Sequence, residues 1–216
     1  MPKGDKGTET KNKLLECSRE LFYQYGYRNT TTRMIAKHSQ LNLGLFHYYF
    51  DGKIEIGMTA YYDIRIAFDQ YVTDYGLAKN EIDVFIFSSA IELYLCLTNP
   101  SYGQFFFDLS AEPKVHDRTL AHIIRTFETY AKYKDPSFPV LAGISISAVK
   151  PAIVNYALQN PKKIANETYL DYYIRQQLHF FGTDEAKACD YLEILNQYII
   201  GVDETFTPIF YPKPSS

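Results

Sequence analysis

Apolar residues recur every three or four positions along almost the whole chain, the spacing of helices with one buried face. Leu14, Leu15, Ser18, Leu21, Phe22 and Tyr25 mark a first helix, and Gly26 stands where helices commonly turn left-handed to stop. Thr31 or Thr32 is placed to cap a short helix carrying Met34, Ile35 and Ala36. A second short helix follows, starting near Asn42. Longer helices are predicted over residues 53–75, 81–98, 101–111, 115–134, 138–159, 164–181 and 184–203. The 81–98 segment is apolar on almost every side, as suits a helix inside a bundle. Prolines cluster after Asn99 and read as punctuation between helices, with a kink predicted at Pro151. Only "GISISAV" (143–149) suggests a strand, and no hairpin signal accompanies it. The expected fold is all-α.

The last two helices each carry more apolar surface than one buried face needs. Leu170, Tyr173, Ile174, Leu178 and Phe181 form one stripe; Tyr169, Tyr172, Gln176 and Phe180 form another. In the final helix Tyr191, Leu195 and Tyr198 belong to a similarly broad stripe. Either both faces lie in one large core or one takes a partner subunit. The tyrosines favour the partner, because Tyr is enriched at interfaces. The expected dimer surface is Tyr169, Tyr172, Gln176, Phe180, Tyr191, Leu195 and Tyr198.

The stretch "LNLGLFHYYFDGK" (41–53) holds five consecutive ring-bearing residues, Phe46 to Phe50. On a helical wheel Leu43, Phe46 and Phe50 share one face, continued by Ile54, and that face reads as core. Gly44, Leu45, His47 and Tyr48 project away from it, with Tyr49 at the boundary. A glycine beside rings with hydrogen-bonding tips suits close approach to a phosphate backbone. Together with "TTRMIAKHS", the stretch reads as helix, turn, helix.

Charge changes this picture modestly. The net charge is −3, but residues 1–56 carry nine Lys or Arg against six Asp or Glu, and the remainder thirteen against nineteen. A basic end on an acidic body fits a nucleic-acid contact at that end. Residues 1–10, with two of the lysines, read as a flexible arm. The N-terminus lacks the apolar stretch of a signal peptide, and no apolar run reads as long enough to span a membrane. Cys17, Cys96 and Cys189 are isolated, with no zinc-ligand spacing, so they read as small apolar residues of a reduced, cytoplasmic protein with no metal and no cofactor. GxSxG, HExxH, GxxxxGK[ST] and GxGxxG are absent, which argues against an enzyme.

Residues 13–56 resemble the DNA-binding domain of the tetracycline-repressor (TetR) family of bacterial transcription regulators. The resemblance rests on an ordered set: Leu21-Phe22, Gly26-Tyr27, Thr31-Thr32, Ile35-Ala36, Leu41, "LFHYYF" and Lys53. It implies an N-terminal three-helix helix-turn-helix domain (1–54), followed by a helical domain (55–216) that holds a ligand and dimerises through its last two helices. It implies a homodimer on a pseudo-palindromic double-stranded DNA operator, most simply a repressor released by a small-molecule effector, working in the cytoplasm at the nucleoid. By position Thr32, His47, Tyr49 and Lys53 are phosphate contacts, while Leu43, Gly44 and Leu45 read bases. Thr31, Asn42 and Tyr48 complete the DNA-facing set. Arg33 is placed to reach a base, and Arg to guanine is the commonest specific contact. The alternative is a helical adaptor using the same motif for protein contacts.

Two departures from the family pattern stand out. Gln40 occupies a turn position that usually holds glycine. His47 replaces a common tyrosine and brings an unperturbed pKa near ~6.5 to the phosphate contact. Leu43 is read either as core or as an apolar base contact. In the body the ligand site is expected among the central helices, with Glu92, Tyr94, Phe107, His122, Phe127 and Tyr156 as lining and an apolar or aromatic effector. Glu92 reads either as part of a solvated polar stripe with Glu81, Ser88 and Asn99, the favoured reading, or as counter-charge for a cationic ligand.

Overall fold

The computed structural model describes residues 4–210 except 132 and 134, and among them every regular element is helical. The N-terminal unit comprises α1 (Gly4–Tyr25), α2 (Thr32–His38) and α3 (Leu43–Tyr49). The body follows as α4 (Lys53–Asp74), α5 (Glu81–Thr98), α6 (Pro100–Ser110), α7 (Pro113–Tyr130), α8 (Phe138–Gln159), α9 (Asn166–Phe180) and α10 (Ala188–Phe210). A single 3₁₀ turn, Glu185–Lys187, leads into α10.

The helix boundaries have local causes. Thr31 Oγ1 accepts from the Met34 amide at 3.2 Å, Asn42 Oδ1 from Leu45 at 2.7 Å, and Asn80 Oδ1 from Asp83 at 3.0 Å. Pro100, Pro113 and Pro139 stand in the first turns of α6, α7 and α8, where a missing amide costs nothing. Pro151 lies inside α8 and removes the amide that would bond the Ser147 carbonyl.

Three expectations change. The arm predicted over 1–10 is helical from Gly4 onward. "GISISAV" lies within α8: its β-branched residues yield to the bundle on either side, which buries Gly143 and Ile146. That same α8 is 22 residues long, with a mean hydropathy of 1.4 over its most apolar window, so one helix does reach membrane-spanning length and apolarity. It packs against α5, α6, α7 and α9, and only 33% of that window is buried.

The core runs without a break from the N-terminal unit into the body. Phe22 stacks on Phe105 of α6 with centroids 5.4 Å apart, and Tyr27 meets the same ring edge-on. Arg19 pairs with Asp63 of α4 at 2.6 Å, and Arg28 Nε lies 2.9 Å from Asp108 of α6. A Cβ on Gly57 would sit 2.8 Å from the Tyr27 ring, so glycine is what lets α4 pass this close. α6 therefore touches the N-terminal unit through Phe105 and Asp108.

Candidate DNA-binding face and body cavity

The turn between α2 and α3 is built on Gln40. Its amide donates to Lys37 O at 3.1 Å, and Leu41 N donates to Ala36 O at 2.9 Å, the paired bonds of a Schellman stop. That geometry requires a left-handed residue, and Gln40 supplies it at φ 57° without being glycine. The backbone conformation is kept, at a cost of about 1–2 kcal/mol.

Around this turn the rings of 46–50 separate by direction. Phe46 and Phe50 are fully buried, with centroids 5.9 Å apart. His47 is exposed, and Tyr48 is 78% exposed. Tyr49 is half-buried against the core, and a Cβ on Gly7 would come within 3.5 Å of its hydroxyl, so the start of α1 runs beside α3. Leu43 is also half-buried against the core, whereas Gly44 is exposed and Leu45 half-buried. Thr31, Arg33 and Asn42 are exposed, and Thr32 is half-buried. Lys53 donates to the carbonyls of Tyr27 (3.0 Å) and Arg28 (3.3 Å) and lies over the Tyr27 ring at 4.4 Å. Burial holds its pKa below the usual lysine value, against the pull of Glu112 and Asp108. Two of its three donors are in use, which leaves one for an outside acceptor.

Lys11 was not singled out in the sequence. Its ammonium stands 5.6 Å from the Phe50 ring, which puts a cation at the base of α3. Lys11 lies just past the stretch read as an arm, and the helical register that continues back from Leu14 is the signal that places it. The structure also brings the ligand atoms of Cys17, Glu20 and His38 within 4.8 Å of one another, where sequence spacing showed no cluster. A 2.5 Å contact between His38 Nε2 and Glu20 accounts for two of the three.

In the body a cavity of about 440 Å³ opens between α4, α5, α6, α7, α8 and α9. Of the six residues expected there, Glu92 and His122 line it. Tyr94, Phe107, Phe127 and Tyr156 do not. Phe127 is sealed among Phe85, Phe180 and Phe181, Tyr94 and Phe107 pack against the core elsewhere, and Tyr156 faces outward. Aromatic density in a sequence marks core more often than cavity, since a ring must be buried somewhere in either case.

Glu92 is neither on a solvated edge nor alone. It is 1% exposed, bonded by Lys150 of α8, and 3.5 Å from Arg65 of α4, with the Tyr102 hydroxyl at 3.5 Å. Burial raises its pKa, but the Lys150 and Arg65 charges outweigh burial and hold the carboxyl below its usual range. Nothing in the apolar pattern pointed to Arg65 or Lys150 here, because the three residues lie far apart in the chain.

The expected dimer residues also divide. Tyr191 donates to Asp83 at 2.5 Å and stacks near Phe87, Leu195 is fully buried, and Tyr169 is buried. These three turn inward. Tyr198 is half-buried, its carbonyl bonded by Tyr71, and Gln176 and Phe180 are half-buried. Tyr172 is exposed. Along α10 Ala188, Leu195 and Val202 are buried while Tyr191, Leu192, Tyr198 and Ile199 are half-buried, and α8 leaves Val140, Leu141, Ile144 and Tyr156 exposed.

Residues 14–56 match the family described as bacterial regulatory proteins, tetR family. A comparison with curated protein sequences gave no match. Several solved structures share the fold. A protein of Syntrophomonas wolfei described as a TetR-family transcriptional regulator superposes with TM-score 0.58 at 20% identity, covering 81% of this chain and 96% of that one. RolR in complex with resorcinol gives 0.55 at 19%, covering 88% and 96%. NalD, the secondary repressor of the MexAB-OprM multidrug efflux pump in Pseudomonas aeruginosa, gives 0.51 at 12%, covering 82% and 97%. The chain thus carries the N-terminal domain of the tetR family and has the fold of a TetR-family transcriptional regulator. Members of that family are regulators of transcription, not enzymes.

Proposed function

We propose that the protein is a ligand-responsive transcriptional repressor that binds a pseudo-palindromic operator as a homodimer and is released by a small-molecule effector. The observation that carries this reading is the α2–α3 face: Thr31, Arg33, Gly44, His47 and Tyr48 are open above a buried Phe46–Phe50 anchor. α3 would enter the major groove, with Arg33 beside it at a base edge and Thr31, Thr32, Asn42, His47, Tyr49 and Lys53 on phosphates. Leu43 holds α3 to its core, leaving Gly44, Leu45 and Tyr48 for the bases.

Dimerisation is assigned to the exposed apolar stripe of α8, Leu141–Ile144–Tyr156, together with the exposed Tyr172 of α9. A second copy of the chain would cover this stripe. The effector would occupy the body cavity; RolR, which shares the fold, is described in complex with the ligand resorcinol. α6 supports the coupling: Phe106 and Leu109 line the cavity, while Phe105 and Asp108 hold the N-terminal unit. A shift of α6 on ligand binding would move each α3 and spoil the ~34–36 Å half-site spacing. The helical-adaptor alternative predicts flat salt dependence, whereas DNA binding should weaken steeply with salt. Electrophoretic mobility shifts with the wild type and Arg33→Ala test the reading: Arg33→Ala should cost about 1–3 kcal/mol and relax preference at one base position. Unchanged binding and preference would contradict it.

A further inference from the structure

The cavity's charges point to the chemistry of its occupant, given the ligand-responsive reading above. Six residues of its lining carry a formal charge: Arg65, Arg118, Arg125 and Lys150 against Asp69 and Glu92. Their depths differ in a way that matters. Glu92 also lines the cavity but is only 1% exposed, whereas Lys150 and Arg65 keep 11% and 16% of their side-chain surface open. The charge that reaches the cavity from this cluster is therefore positive. One carboxylate serves two cations, so the cluster holds an excess of one positive charge in a low-dielectric wall, a costly state for an empty site. Asp69 only partly offsets it, 3.9 Å from Arg65 and half exposed. Farther along the wall Arg118 lies over the Tyr62 ring at 4.1 Å, which leaves its guanidinium edge free to take an anion.

The apolar half of the lining completes the picture. Phe106 and Tyr173 flank Lys150, 5.7 and 5.6 Å from its ammonium, and Tyr61, Phe85 and Ile146 continue the wall. His122, on the same wall, has its pKa held below the usual value chiefly by burial, with Arg65 and Arg125 adding to it against the pull of Asp69.

We propose that the effector is a ring-bearing organic anion whose acidic group binds Lys150 and Arg65 and whose body lies against Phe106 and Tyr173. This reverses the sequence-derived idea of Glu92 as counter-charge for a cation. Glu92 is instead the internal counter-charge of the two cations and competes with the effector's acidic group for them.

The probes are anilinonaphthalene sulfonate and its uncharged counterpart N-phenylnaphthylamine, which share one ring system. Their affinities for the full-length protein are read by fluorescence titration. The sulfonate should bind the wild type at least about tenfold tighter, the value of one charged hydrogen bond. Lys150→Met should remove that preference and leave N-phenylnaphthylamine nearly unchanged. Glu92→Gln frees Lys150 from its internal carboxylate and should tighten the sulfonate, which keeps the test sharp if Lys150→Met misfolds. Equal binding of the two probes by the wild type overturns the proposal. So does an unaltered preference in Lys150→Met, or weaker sulfonate binding in Glu92→Gln. DNA binding measured on the same preparations separates the two claims. A protein that binds operator but prefers the neutral ring keeps the regulator reading and loses the anion. One that prefers the anion but binds no DNA keeps the site and loses the regulator.

Discussion

Gln40 and Glu92 show how much rests on single residues. Gln40 holds a left-handed φ of 57° that the Schellman bonds to Lys37 and Ala36 impose. Gln40→Gly should raise stability by roughly 0.5–1 kcal/mol, the relief of strain less the extra freedom of glycine in the unfolded chain. Thermal or denaturant melts would show it, and a destabilised variant would contradict the assignment. Glu92 works in the opposite sense. Its folded pKa is depressed, so its contribution is complete above the unfolded value of about 4.3 and is lost as pH falls through the lower folded value. Glu92→Leu should cost about 3 kcal/mol at neutral pH, because Lys150 and Arg65 are left facing each other. In Glu92→Gln the fall in stability as pH drops below about 4.3 should be shallower than in the wild type. An identical acid profile would show that the carboxylate contributes nothing through its charge.

At the scale of elements, the helices were readable in the sequence because apolar spacing and capping residues agreed: Gly26, Thr31 and Asn42 mark ends that the structure uses. Side-chain destinations inside the bundle were readable only where a surface side exists. Phe46 and Phe50 separated from His47 and Tyr48 because α3 has one wet face. In α5 no face is wet over most of its length, so periodicity assigned Glu92 to a solvated stripe, and only the distant Arg65 and Lys150 explain its burial. The close crossing of α5 and α6 was equally hidden. A Cβ on Gly103 would stand 2.5 Å from the Cys96 carbonyl oxygen, a backbone atom that cannot swing away. Gly103→Ala should therefore destabilise by about 1–3 kcal/mol despite its better helix propensity, as a denaturant midpoint would report. A stabilised variant would show that the helices separate freely.

The whole molecule joins the exposed α2–α3 face, a cavity lined by Arg65, Arg118 and Lys150, and an exposed apolar face on α8. The α8 face has a direct consequence. Ile144→Lys should convert a dimer to a monomer in analytical ultracentrifugation, since a charge at the centre of an apolar interface is left without a partner. The monomer should also lose most of its operator affinity, because one α3 reaches only one half-site. A variant that remains dimeric would move the interface to another surface.

The central claim is that this chain binds operator DNA through phosphate and base contacts at α2 and α3. The most direct measurement is the affinity of the purified protein for a duplex selected from a random pool, titrated against salt. With about 6–10 phosphate contacts per dimer, affinity should fall by roughly 10³–10⁵ between about 50 and 200 mM salt, and the selected sequence should be two-fold symmetric. No enriched sequence, or binding indifferent to salt, would contradict the account.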